Sequence, residues 1–72
     1  MTNTVELERL IKKSGLKKGY IAITLGLSRQ ALSNKINNKS IFTATEISTL
    51  CNLLNITSLN DKERIFFALD VI

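Results

Sequence analysis

The run Ile21-Ala22-Ile23-Thr24-Leu25-Gly26-Leu27-Ser28-Arg29-Gln30-Ala31-Leu32 reads as a helix, a tight three-residue turn and a second helix that opens with polar side chains. Two helices crossing at a sharp angle need a small residue where their backbones approach, and Ala22 supplies it four residues before Gly26. Gly26 can take a positive φ at almost no steric cost, and Leu27 plugs the turn into the core. Ser28 is suited to accept a hydrogen bond from the free amides of the helix that starts at Arg29. The helix before the turn is expected to start near Lys17 or Lys18 and run to about Leu25, burying Ile21, Ala22 and Leu25. Along the helix after it, Leu32 and Ile36 point to the core, which leaves Arg29, Gln30, Ser33 and Asn34 outward. These side chains suit base edges in a major groove, where arginine fits guanine and glutamine or asparagine fits adenine. Most exposed polar helices are only solvated faces. Here the Ala-to-Gly spacing, the cap and the polar face coincide with an unusual distribution of charge.

Between Arg9 and Lys39 lie eight cations (Arg9, Lys12, Lys13, Lys17, Lys18, Arg29, Lys35, Lys39) and no Asp or Glu; all six acids fall outside that stretch. The net charge is +4 and the sequence pI about 9.6. Such one-sided charge points to a polyanionic partner.

Seventy-two residues make one small domain, which buries only about 60% of the surface its unfolded chain exposes. No apolar run approaches the roughly 18 residues a bilayer span requires, and the N-terminus, with Glu6 and Glu8, lacks the pattern of a signal peptide. A cytoplasmic protein is expected. The single cysteine, Cys51, cannot form an internal disulfide, and the absence of histidine removes Cys/His metal clusters and His-based acid–base chemistry. We therefore expect no enzyme, no cofactor and no metal.

The remaining segments also read as helices. In the first, Leu7, Leu10 and Ile11 share a face, and Ser14-Gly15 closes it. The fourth opens with a capping box, Thr43-Ala44-Thr45-Glu46, after Phe42, which staples the incoming loop; Ile47, Leu50, Cys51 and Leu54 form its core stripe. Cys51 reads as structural, with no neighbouring cation or histidine in sequence to activate it. Asn60-Asp61-Lys62-Glu63 resembles a second capping box. On the helix that follows, Ile65, Leu69 and Ile72 form a seam that Phe66 extends, while Phe67 and Val71 lie on a different side. That second apolar side fits either packing against the first or fourth helix or a protein interface formed by Phe67 and Val71.

The run LKKGYIAITLGLSRQALSNKINNK, from Leu16 to Lys39, resembles the Cro/repressor type of helix-turn-helix, the XRE-like family. Its continuation through Phe42, Thr43, Glu46 and Ile47 to Ile65-Phe66-Phe67 resembles short phage-type regulators of that family. The resemblance implies an all-α fold, a compact five-helix domain of the lambda repressor-like DNA-binding kind over residues 1–72. It implies that Arg29, Gln30 and Asn34 match base-contacting positions, with Ser33 beside them. It also implies that the surroundings of Lys17 and Lys18, and the turn from Asn37 to Ser40, face phosphates. Two positions depart from the family pattern. Lys35 stands where many members have an apolar core residue, and Asn38 replaces a frequent glycine.

The function expected from these observations is sequence-specific DNA binding by a transcriptional regulator. Arg29, Gln30, Ser33 and Asn34 would read bases of a double-stranded operator; Lys17, Lys18, Lys35, Asn37 and Lys39 would hold five or six phosphates. The expected partners are operator DNA and, through Phe67 and Val71, a second copy or a partner repressor. The alternative is a protein-binding modulator or antirepressor that docks on a partner repressor and uses the same fold as an interaction module.

Overall fold

Short polar side chains take up free amides at the start of four of the five helices. In a computed structural model, which describes residues 1–68, the order is α1 (Thr4–Ser14), α2 (Lys18–Leu25), α3 (Arg29–Ile36), α4 (Ala44–Leu54) and α5 (Leu59–Phe66). No strand occurs among the described residues. The Asn3 side chain accepts the amide of Glu6, Ser28 that of Ala31 and Ser58 that of Asp61. Thr43 and Glu46 form the expected reciprocal capping box: Glu46 N donates to Thr43 Oγ1 at 3.2 Å, and Thr43 N donates to Glu46 Oε1 at 2.9 Å. The box expected at Asn60–Glu63 does not form. Ser58, three residues before Asp61, captures the cap first, so α5 starts at Leu59 and Asn60 lies within its first turn.

Three helix ends share one pattern. At Gly26 (φ 72°) the Gly26 amide donates to Ile23 O at 3.0 Å and the Leu27 amide to Ala22 O at 2.8 Å, closing α2 and reversing the chain into α3. The same pair of bonds recurs around Asn38 (φ 64°) and Asn55 (φ 57°), the two described non-glycine residues with positive φ. Asparagine is one of the few side chains that tolerates this region.

The apolar faces meet in one core built from Leu7, Ile11, Ile21, Ala22, Leu32, Ile36, Phe42, Leu50, Cys51, Ile56, Ile65 and Phe66, with Leu25 and Leu27 packed at its margin. Leu25 is thus half-buried rather than buried as expected. Ala22 is buried in the core. Phe42 meets Phe66 edge to face, centroids 5.8 Å apart, so the residue ahead of α4 ties α4 to α5. The N-terminal residues lie between α3 and α5. Asn38 accepts the Thr2 amide and donates to Thr2 O, both at 2.8 Å, while the Asn3 amide donates to Ile65 O and Thr4 Oγ1 to Ile36 O, both at 2.6 Å. The radius of gyration, 11.0 Å, equals the roughly 11 Å of a compact chain of this length. Among the described residues no helix is long and apolar enough to cross a membrane. Leu69, Val71 and Ile72 lie outside the described residues.

Asn55 separates backbone from side-chain effects. Asn55→Gly is expected to keep or slightly raise stability, whereas Asn55→Ala should cost about 1 kcal/mol, because only alanine meets the Cβ penalty of the left-handed region. Urea denaturation of the two variants checks this; equal midpoints would show that the αL closure of α4 contributes nothing.

Candidate nucleic-acid interface

The four side chains expected to read bases share one side of α3. Arg29 and Gln30 are exposed and Ser33 and Asn34 are half-buried. Gln30 Nε2 donates to Asn34 Oδ1 at 2.9 Å, and Asn37 Nδ2 donates to Ser33 O at 2.9 Å and Ser33 Oγ at 3.4 Å. These i,i+4 pairs hold the amides along the helix in a defined order. In this arrangement Gln30 retains its carbonyl oxygen and Asn34 its amide NH₂ for outward bonds.

Arg29 makes no ion pair among the described residues. Its guanidinium lies across the start of α2, over Gly19: a Cβ at Gly19 would stand 3.1 Å from Arg29 Nε and 3.4 Å from one terminal nitrogen. Gly19 sits within a helix, where glycine costs roughly 0.5–1 kcal/mol relative to alanine. The missing side chain leaves the space that the guanidinium occupies. Beside it, α2 begins at Lys18, its N-cap Lys17 supplies no side-chain hydrogen bond, and its first turn holds no acid. Its first amides are therefore open to an anion.

The cations divide into two groups that the sequence does not separate. Glu6 engages Arg9 and Arg64, Glu8 engages Lys18 at 2.9 Å, and Glu46 engages Lys35 at 2.5 Å. The stretch from Arg9 to Lys39 is free of acid in the chain but not in space, because α1 and α4 bring carboxylates onto three of its eight cations. Of the expected phosphate ligands, Lys17 and Lys39 are exposed and unpaired among the described residues, while Lys18 is shared with Glu8. Asn37 is exposed, with its amide turned back to Ser33.

Lys35 departs from its expected role. Its side chain is 14% exposed and its ammonium is bonded to Glu46, itself 13% exposed. The charge of this half-buried lysine is answered by the carboxylate that also caps α4. Burial pushes the Glu46 carboxyl upward, but the Lys35 ammonium and the Thr43 amide together outweigh it and hold Glu46 below the usual carboxylate range. The Arg9 hydrogen bond first, then Arg64, lowers Glu6 to about 2. Burial raises the Cys51 thiol against the opposing charge of Lys62, in keeping with a structural role.

Phe67, the first of the two residues expected at a protein interface, ends α5 with more than half its surface exposed. Val71, the second, lies outside the described residues. Sequence reading missed Glu8, Gly19 and Glu46 as neighbours of the site. Gly19 was detectable as a glycine inside a segment read as helix; the Glu8 and Glu46 pairings depend on packing and left no local signal.

Fold and site define a small all-α domain that presents a polar, cation-flanked helix. The chain belongs to the family described as "Protein of unknown function (DUF739)", whose model matches residues 5–68. No curated protein and no solved structure matches the chain.

The Lys35–Glu46 pair predicts an asymmetry. Lys35→Met strands the Glu46 carboxylate, which keeps its Thr43 amide, and should cost about 1 kcal/mol, whereas Glu46→Ala both strands Lys35 and uncaps α4 and should cost more, about 1–3 kcal/mol. A group whose folded pKa is lowered stabilises the fold above its unfolded value. That contribution is lost as pH falls from about 4.5 through the folded value. Acid unfolding should therefore be shallower in Glu46→Gln than in wild type. Identical acid profiles would contradict the linkage.

Proposed function

We propose that this protein is a sequence-specific DNA-binding transcriptional regulator in which α2, the Gly26 turn and α3 act as a helix-turn-helix. The reading rests above all on the exposed face of α3, where Arg29 and Gln30 stand at the helix start and Asn34 continues the row one turn later. A helix entering the major groove by its N-terminal end presents these positions to base edges. Lys17 and the uncapped amides of α2 lie ahead of α3 in sequence, and Lys39 follows it; both elements suit phosphates and would set the register on the duplex. The resemblance of Leu16–Lys39 to the Cro/repressor helix-turn-helix supports the same assignment. Regulation would follow from occupying promoter DNA.

The exposed apolar surface at Phe67 favours a second reading, a modulator that docks on a partner repressor. Selecting bound duplexes from a random library with the purified protein alone separates the two. Enrichment of a defined sequence supports DNA reading; enrichment only when a repressor is added supports the modulator.

With Lys18 and Lys35 held by carboxylates, two or three of the cations expected at DNA remain per subunit to neutralise phosphates: Lys17, Lys39 and, where it turns to the backbone, Arg29. The log–log dependence of affinity on salt should then have a slope of about −2 to −3 per subunit. A slope near −4.5 per subunit would show that both ion pairs open on binding, and a flat dependence would remove the electrostatic component.

Arg29→Ala should weaken specific binding by about 1–3 kcal/mol and relax preference at one base position. Gly19→Ala should relax the same position while raising thermal stability, since alanine favours the helix but crowds the guanidinium. Equal losses on specific and random duplexes for Arg29→Ala would contradict its role.

A further inference from the structure

The turn after α3 presents Lys39 with its backbone amides already engaged. The Asn37 amide donates to Ser33 O at 3.0 Å, that of Asn38 to Lys35 O at 3.4 Å, and those of Lys39 and Ser40 to Asn34 O at 2.8 and 3.3 Å. A turn without open N–H groups is not an anion nest and holds a phosphate through its side chains. Asn37 directs its side-chain amide back to Ser33, which leaves the exposed Lys39 ammonium, unpaired among the described residues.

A lysine ammonium rides on a flexible four-carbon stem, so its reach depends on the backbone beneath it. That backbone passes through Asn38 at φ 64°, a conformation that glycine takes at almost no steric cost. Asparagine keeps the conformation and adds a clasp. Its Oδ1 accepts the Thr2 amide and its Nδ2 donates to Thr2 O, both at 2.8 Å, between residues 36 apart in the chain. Thr2 is the one buried polar residue among those described. Its neighbours anchor the same segment on two helices: Thr4 Oγ1 donates to Ile36 O, the Asn3 amide to Ile65 O and the Ala68 amide to Met1 O. Residues 1–4 therefore brace the end of α3 against the end of α5, and Asn38 is the side chain that brings the turn into this brace.

We infer that Asn38 is a positioning residue for phosphate binding, its clasp on Thr2 holding the turn where Lys39 meets the sugar–phosphate backbone. The inference rests on the reading of α3 as a groove-entering helix. A residue that acts through Lys39 changes grip and not base choice, because phosphate contacts carry no sequence information. It also leaves a mark that a purely structural residue does not: losing one phosphate contact makes the log–log salt slope shallower by about 0.9.

Fluorescence anisotropy with two labelled duplexes, one enriched by the wild type from a random library and one of arbitrary sequence, tests this over about 50 to 200 mM salt. Asn38→Gly keeps the positive φ and removes the clasp. With helicity unchanged by circular dichroism, it should bind both duplexes about fivefold more weakly near 0.15 M salt, with a slope about 0.9 shallower per subunit and the same base preference. Thr2→Pro deletes the amide that Asn38 accepts while leaving Asn38 in place, and it should weaken binding in the same way. In a Lys39→Gln background, Asn38→Gly should change affinity by less than about twofold. Three results would each overturn the inference. They are a folded Asn38→Gly with wild-type affinity and slope, a loss in Asn38→Gly with Thr2→Pro at the wild-type level, and an equal loss with and without Lys39. The second would make Asn38 a direct DNA contact. All three leave DNA reading by α3 standing, whereas a wild type that binds neither duplex would remove that reading and this inference together.

Discussion

Gly26 sets the relation between the two helices on which everything else is arranged. Its left-handed backbone lets the Leu27 amide reach back to Ala22 O, and that bond ends α2 while Leu27 turns inward. Ala22 is buried in the core, and Ser28 restarts the chain by capping α3. Three residues of turn therefore decide which side of α3 faces the core. Leu32 and Ile36 go inward, and Arg29, Gln30, Ser33, Asn34 and Asn37 are left on the solvent side. A wider or looser turn would rotate that face and scatter the amide ladder.

Around this pair of helices the ion pairs join elements rather than merely decorate the surface. Glu6 links α1 to α5 through Arg64, Glu8 links α1 to the start of α2, and Glu46 links the start of α4 to α3. Exposed pairs of this kind are individually weak. Their larger consequence is to select which cations stay open. Of the eight cations between Arg9 and Lys39, five remain unpaired among the described residues: Lys12 and Lys13 on α1, and Lys17, Arg29 and Lys39 around α2 and α3. The Asn38 clasp on Thr2 works in the same direction, fixing the turn that presents Lys39 to the chain's own N-terminus.

Local chemistry was legible in the sequence to the extent that it acts over three or four residues. The closures at Gly15 and Gly26, the Ser28 cap, the Thr43–Glu46 box, the Asn38 turn and the core stripes of α1 and α4 all rest on such spacings. The misplaced start of α5 has the same origin: Ser58 and Asn60 both precede an acid by three residues, and only packing chose between them. Lys35 shows the opposite limit. A lysine in a basic stretch reads as solvent-facing, yet its partner Glu46 lies on another helix and already serves as a cap. No spacing rule reports that a carboxylate has two tasks. For the same reason the space over Gly19 could not be assigned to Arg29 before both helices were placed.

The central claim is that the outward side of α3 enters a duplex groove. Its most direct test is to follow amide and side-chain NMR signals of the protein while adding a duplex selected by it. The account predicts shifts concentrated on Lys17–Tyr20, Arg29–Asn34 and Asn37–Ser40, including the side-chain NH₂ signals of Gln30 and Asn34. Shifts confined to the surroundings of Phe67 and Leu59, with the Gln30 and Asn34 signals unmoved, would contradict it.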